Sequence, residues 1–220
     1  MTDIQYKVVR SDRKSMVLVI DSEAKLIVRA PYLTRESEIA DFIKKKKRWI
    51  LEKQEQISAF NEKQNPVVIK KGANIQYLGN TYTIQFGSAA KIQISGTNII
   101  LPRGFTKKRM TAWFKREARK LIDERVDKYA KIMGTRYASI RLSGARMRWG
   151  SCSGKNKLNF TWRLIMCPIA AIDYVIVHEL SHITYKNHSP GFWALVKTAF
   201  PDFKEQKKWL KTNRYIMDII

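Results

Sequence analysis

Histidine is nearly absent from this 220-residue chain: there are three, His178, His182 and His188. Cysteine is scarcer still, with only Cys152 and Cys167. Two cysteines cannot build the disulfide framework of a small secreted domain, and they fit a reducing compartment. No apolar run approaches the roughly 20 residues a membrane helix needs; stretches such as 174–177 are far shorter. The opening residues MTDIQYKVVRSDRK lack the apolar centre of a signal peptide. These absences predict a cytoplasmic protein without a membrane segment. Acidic residues are also few, 19 against 42 basic ones, for a net charge of +23. That excess attracts polyanions, whether nucleic acid, nucleotide phosphates or an acidic partner. A lysine-rich solvated surface is the plainer reading. The clusters lie at 44–48, at Lys107, Lys108, Arg109, Arg116, Arg119 and Lys120, and at Lys204, Lys207, Lys208, Lys211 and Arg214. A hydrophobic content of 45% supports a true core and excludes disorder or a collagen-like chain.

The scarce histidines share one stretch, His178-Glu179-Leu180-Ser181-His182, followed six residues later by His188. On a helix, positions i and i+4 share a face, so His178 and His182 can present two imidazoles to one ion. Glu179, one step round, is placed to reach a metal-bound water as general base. A catalytic zinc takes three protein ligands and keeps one position open. His188 is the third candidate, at the spacing of HExxHxxGxxH motifs. Tyr185 replaces the glycine of that motif, so Asn187, which tolerates left-handed geometry, is the candidate for making the turn. Glu205 is the next candidate ligand should His188 fail. Cys152 is a candidate neighbour of the site or simply a half-buried thiol. Two unconnected surface histidines on a helix would be the bland alternative. A purely structural zinc would ordinarily close with four Cys/His ligands, and no fourth is in sight.

Along the chain, β-prone runs at 4–10, 16–20 and 26–29 precede a helical pattern over 34–57, with Thr34 as its N-cap. Residues 61–66 read as a linker. Two hairpins follow, one turning at Gly79-Asn80 and one about Gly96. A long helix over 106–133 carries one apolar stripe and stops at Gly134. Residues 139–162 read as an antiparallel pair with a strand over 146–152. Arg146 and Arg148, two apart on that strand, would project from one face and could stabilise developing charge; Tyr185 is another donor candidate. Pro168 starts the motif helix at its first position, Ser189-Pro190 opens the next, and an Asp202/Glu205 capping pair opens the last. The reading is an α+β chain with a β-rich N-terminal part (1–103, holding one long helix). A zincin-type metal-hydrolase domain follows at 104–220.

The segments Arg148-Trp149-Gly150-Ser151-Cys152-Ser153, Asp173 to His182 and Asn187-His188-Ser189-Pro190-Gly191-Phe192-Trp193 resemble the YgjP-like metallopeptidase family of bacteria. So does the hairpin Tyr77 to Tyr82. The resemblance covers most of the chain. It implies a zincin fold distantly related to SprT-like proteases, with metal ligands matched by His178, His182 and His188 and a catalytic Glu matched by Glu179. Most members are regarded as metallopeptidases, whereas one is described as a UTP pyrophosphatase. The leading expectation is a zinc-dependent metallopeptidase. The alternatives are a nucleoside triphosphate pyrophosphatase using the same site, and a nucleic-acid-binding protein with a structural zinc. The chain shows no phosphate-cradling glycine loop, and a structural site would not need Glu179.

Overall fold

The computed structural model describes residues 4–21, 23–62, 69–88, 90–146, 148–214 and 216. The chain divides into two units, Met1–Asn65 and Pro66–Ile220, each around its own apolar cluster.

In the first unit, the three β-prone runs become β1 (Tyr6–Ser11), β2 (Val17–Ile20) and β3 (Leu26–Pro31). β3 is central, parallel to β1 and antiparallel to β2. Its period-2 alternation turns Leu26, Val28 and Ala30 inward. The helix expected over 34–57 is two helices, α1 (Glu36–Lys45) and α2 (Lys47–Glu62), interrupted at Lys46. The interruption falls inside the run of five cations at 44–48. Like charges three and four apart disfavour a continuous helix there. α1 is capped at Arg35 rather than Thr34, with the Glu38 carboxylate accepting the Arg35 N–H at 2.8 Å. Ile39, Ile43 and Ile50 complete the core.

The second unit begins at Pro66, the last residue of the expected linker; α2 runs to Glu62, and 63–66 lie outside the described residues. β4 (Asn74–Tyr77), β5 (Asn80–Gly87), β6 (Gln93–Ser95) and β7 (Asn98–Pro102) form a sheet in the order β4-β5-β7-β6. Both expected hairpins form, and β5 and β7 pair in parallel. The Thr106 hydroxyl accepts the Arg109 N–H and starts α3 (Lys107–Ile132). Gly134, at φ 59, follows its end. The division at 65/66 lies well before the expected 103/104 boundary. The reason is packing: Ile75, Ile84, Ile99 and Leu101 of the sheet share one core with Met110, Phe114 and Ala118 of α3.

Three strands follow: β8 (Ser139–Ser143), β9 (Gly150–Cys152) and β10 (Lys157–Thr161). β10 lies between the other two, parallel to β8 and antiparallel to β9, so the expected antiparallel pair is one edge of a mixed sheet. A short 3-10 turn, Trp162–Met166, leads to α4 (Ile169–Thr184), α5 (Pro190–Ala199) and α6 (Phe203–Thr212). The order is the α+β, zincin-type succession of long helix, strands, motif helix and closing helices. α4 is buried nearly all round, from Ala171 to Val177 and at Glu179, Leu180 and Ser181, the pattern of a central helix.

A charged clamp ties α4 to α3. Arg125 Nε donates to Asp173 Oδ1 at 2.6 Å, Arg125 Nη2 donates to Asp173 Oδ2, and the Tyr129 hydroxyl donates to the same oxygen at 3.1 Å. Asp173 is buried, whereas Arg125 keeps some contact with water. Removing one partner of a buried pair leaves the other charge uncompensated, at about 3 kcal/mol or more. Arg125→Met is therefore expected to destabilise by about 3 kcal/mol, and by more than Asp173→Asn, because Arg125 can turn to solvent and Asp173 cannot. Urea unfolding of the two variants checks the order; equal midpoints would refute it.

Candidate metal centre

α4 is held at its start by the first hairpin of its own unit. The tight turn is Leu78-Gly79, one residue earlier than expected, at φ 49 and φ 80. Leu78 N–H donates to Ile165 O at 2.8 Å and Gly79 N–H to Met166 O at 3.2 Å. A Cβ on Gly79 would stand 2.7 Å from Pro168 Cγ, so that contact admits glycine alone. Pro168 is the N-cap of α4, not its first helical residue.

Two turns along α4, the i,i+4 spacing does what helical geometry requires. His178 and His182 stand side by side, their ring centroids 4.9 Å apart. After Thr184 the chain leaves the helix through Tyr185, which is extended (φ −116, ψ 108). Among the described residues Asn187 is not one of those with positive φ, so the left-handed turn expected there does not form. The Tyr185 ring instead lies against Gly191, where a Cβ would meet it at 2.9 Å. Ser189 caps α5 as expected, accepting the Phe192 N–H at 3.4 Å. That turn returns His188 over the other two histidines. α6 starts at Asp202 without the expected side-chain cap, and Glu205 is exposed.

The three rings offer nitrogens within 4.8 Å of one another, and this cluster contains neither Glu205 nor Cys152. His178 Nε2 and His188 Nε2 lie 3.1 Å apart. Two ligands each 2.0–2.1 Å from a tetrahedral zinc would be about 3.3 Å apart, so the spacing suits such an ion. Tyr185 O lies 2.9 Å from His182 Nδ1. A carbonyl only accepts, so that nitrogen carries the proton and Nε2 keeps its lone pair for a metal. His178 Nδ1 is buried and has no hydrogen-bond partner among the described residues. Burial, then His182, His188 and Lys207, push His178 down to about 3. Burial and the same neighbouring charges, His182 and Lys207, also lower His188. Neutral imidazole is the ligating form. Phe192, fully buried, forms an apolar floor under all three rings at centroid distances of 4.6–4.9 Å. If these three ligands form the site, His188→Ala should weaken zinc affinity by more than the roughly 10–100-fold seen for residues that only orient ligands. Equilibrium dialysis with metal analysis measures it, and undiminished affinity would refute the set.

Glu179 is buried beside the cluster. Burial pushes its carboxyl up to about 8, and the Arg148 charge pulls it back down. A bound dication would lower it further. Its position depends on a glycine: a Cβ on Gly150 of β9 would stand 2.7 Å from Glu179 Cγ and 2.9 Å from Oε1. The strand expected over 146–152 begins only at Gly150. Arg146 therefore lies in a bend and Arg148 in an irregular stretch, both exposed, and they share no strand face. Of the two, Arg148 is the one whose charge acts on Glu179. Cys152 is half-buried, and burial pushes its thiol up.

The description YgjP-like, metallopeptidase domain, matches residues 14–213. The chain belongs to the YgjP-like metallopeptidase family. This makes it a metal-dependent hydrolase by descent. Among solved structures, the chain is similar to the metallopeptidase zymogen abylysin of Pyrococcus abyssi. The match has 21% identity and a TM-score of 0.39, over 42% of this chain and 93% of that one. The metallopeptidase zymogen jannalysin of Methanocaldococcus jannaschii matches at 18% identity and a TM-score of 0.39, over 42% and 95%. A search of curated proteins found no match. No described helix is long and apolar enough to cross a membrane.

Sequence reasoning anticipated that the three histidines come together. It missed Gly150 against Glu179, the carbonyl that orients His182, and the aromatic floor. The last had a visible signal: Phe192 and Trp193 follow His188 closely, yet read only as helix packing.

Proposed function

We propose that the protein is a zinc metallopeptidase in which His178, His182 and His188 hold the ion and Glu179 is the general base. A bound zinc ion would acidify a water and polarise the scissile carbonyl. Glu179 would take the proton from the attacking water and return it to the leaving amine nitrogen as the C–N bond breaks. Burial helps the carboxyl hold the proton once taken, while a bound dication would keep the resting carboxyl ionised and able to accept it. Arg148 would face the negative charge developing near Glu179.

The observation that carries a peptide substrate is β9. It is an edge strand of its sheet, and its Gly150 lies so close to Glu179 that an added Cβ would collide with it. An extended peptide pairing with that edge would lay its backbone across the ligand cluster.

The test compares zinc-loaded and chelated protein on casein-derived peptides and, separately, on UTP. Zinc-dependent peptide cleavage is the expected result. Pyrophosphate release from UTP without peptide cleavage would replace the peptidase reading with the nucleotide one. Turnover of neither, with salt-sensitive DNA binding, would leave a binding protein with a structural ion.

A further inference from the structure

The charge of this chain is unevenly placed. Of 42 basic and 19 acidic residues, 28 basic and only 9 acidic ones lie in Pro66–Ile220. One of those cations sits against the metal centre. On α6, Phe203 and Lys207 are one turn apart and share a face. Phe203 stacks on Trp193 of α5, 5.5 Å between centroids, and Lys207 Nζ lies 4.2 Å from the centre of the same indole. Trp193 in turn stacks on His188 at 5.6 Å and 21°, and lies 6.0 Å from His178. The column Lys207–Trp193–His188 thus fixes an ammonium at the rim of the ligand cluster.

That ammonium is exposed, and among the described residues no carboxylate is within ion-pair distance of it. Seated on the indole that stacks against His188, it brings a positive charge up to the histidine cluster. A cation so placed works against binding a dication unless an anion arrives to neutralise it. The neighbouring charges have the same sign: Arg148 acts on Glu179, and Lys186, whose Nζ donates to Asn156 Oδ1 at 2.9 Å, acts on Cys152. Glu179 itself is buried. An anion carried by the substrate would supply the missing partner.

We propose that Lys207, seated on Trp193 beside His188, binds a substrate carboxylate next to the scissile bond and so selects acidic peptides. This rests on the peptidase reading and names its substrate class. The carboxylate belongs either to an Asp or Glu side chain or to the peptide's C-terminus. Arg148, whose charge acts on Glu179, would add to the same preference. Because Lys207 faces water, its pairing is that of an exposed ion pair, equivalent to about fivefold at most.

The test uses the zinc-loaded full chain and quenched fluorescent peptides that differ only in carrying Glu, Gln or Lys beside the scissile bond. All are C-terminally amidated except one Gln peptide with a free terminus. Wild type is expected to cleave the Glu peptide with a kcat/KM about fivefold above the Gln peptide at low salt, fading as salt is added. Lys207→Gln should bring that ratio to about one, and Lys207→Glu should favour the Lys peptide. Lys107→Gln removes the same charge at the far start of α3, about 27 Å along the helix from Arg125, and should keep the wild-type ratio. A free-acid Gln peptide preferred over its amide, with that preference lost in Lys207→Gln, supports the inference and assigns the chain terminus as the source. An acidic preference that survives in Lys207→Gln, or that Lys107→Gln abolishes equally, overturns it. If wild type cleaves no peptide while its zinc is bound, the peptidase reading falls and this inference falls with it.

Discussion

Glu179→Gln is expected to lower kcat/KM for peptide cleavage by about 10²–10⁴-fold while bound zinc stays unchanged. The substitution keeps the shape of the side chain and replaces the proton-accepting oxygen by an amide that cannot take a proton. Glu179 is not in the ligand cluster, so the metal should be retained. It is also buried at a site that pushes its carboxyl up to about 8, so a neutral amide removes a desolvated charge. With the metal removed, the variant should be at least as stable as wild type above neutral pH. The sign follows from the direction of the shift. A carboxyl whose pKa is raised by folding costs stability once the pH exceeds its unfolded pKa, and the cost is complete above about 8. Metal analysis, thermal melts and steady-state kinetics on one preparation read all three quantities. Activity within tenfold of wild type would remove Glu179 from the role of base.

Gly150→Ala should cost about 100-fold in kcat/KM, again with zinc retained. The added methyl would sit 2.7 Å from Glu179 Cγ, closer than two carbons can approach. Either the carboxylate or β9 must move by a fraction of an ångström to an ångström, and displacements of that size near reacting groups cost about two orders of magnitude. The histidines lie on the neighbouring helix and loop and do not feel the methyl directly. The mechanism predicts strong non-additivity: in a Glu179→Gln background, Gly150→Ala should add little, because the group it displaces no longer acts. Additive losses would show that Gly150 serves the peptide-binding edge rather than the carboxylate.

Local spacing explains why the centre of the site is legible in the sequence. His178 and His182 are four apart, and a helix needs nothing else to bring them together. Ser189-Pro190 announces the turn that returns His188. The existence of most strands and helices is equally local. What stays hidden depends on partners far away in the chain. Asp173 meets Arg125 48 residues earlier. Gly150 meets Glu179 through sheet packing that no periodicity encodes. The strand there begins at Gly150 rather than 146, so an alternation argument about Arg146 and Arg148 has no strand to act on. The break at Lys46 lies inside a stretch that reads as one helix, and only charge crowding marks it. The division at 65/66 rather than 103/104 has a related reason: alternating strands followed by a long helix look like a change of domain. Ile75, Ile99, Met110 and Phe114 instead bury one another.

The turn at Leu78-Gly79 bears on how small a working hydrolase could be carved from this chain. Its two amides hold the carbonyls of Ile165 and Met166, just before the helix that carries the histidines. Trimming to the motif-bearing part alone, from 104 onward, would strip those carbonyls of their donors and bare one side of the core of α3. An engineer transplanting the activity would need to carry the preceding four-stranded sheet as well. The portable piece is residues 66–220, even though that sheet supplies none of the three clustered histidines.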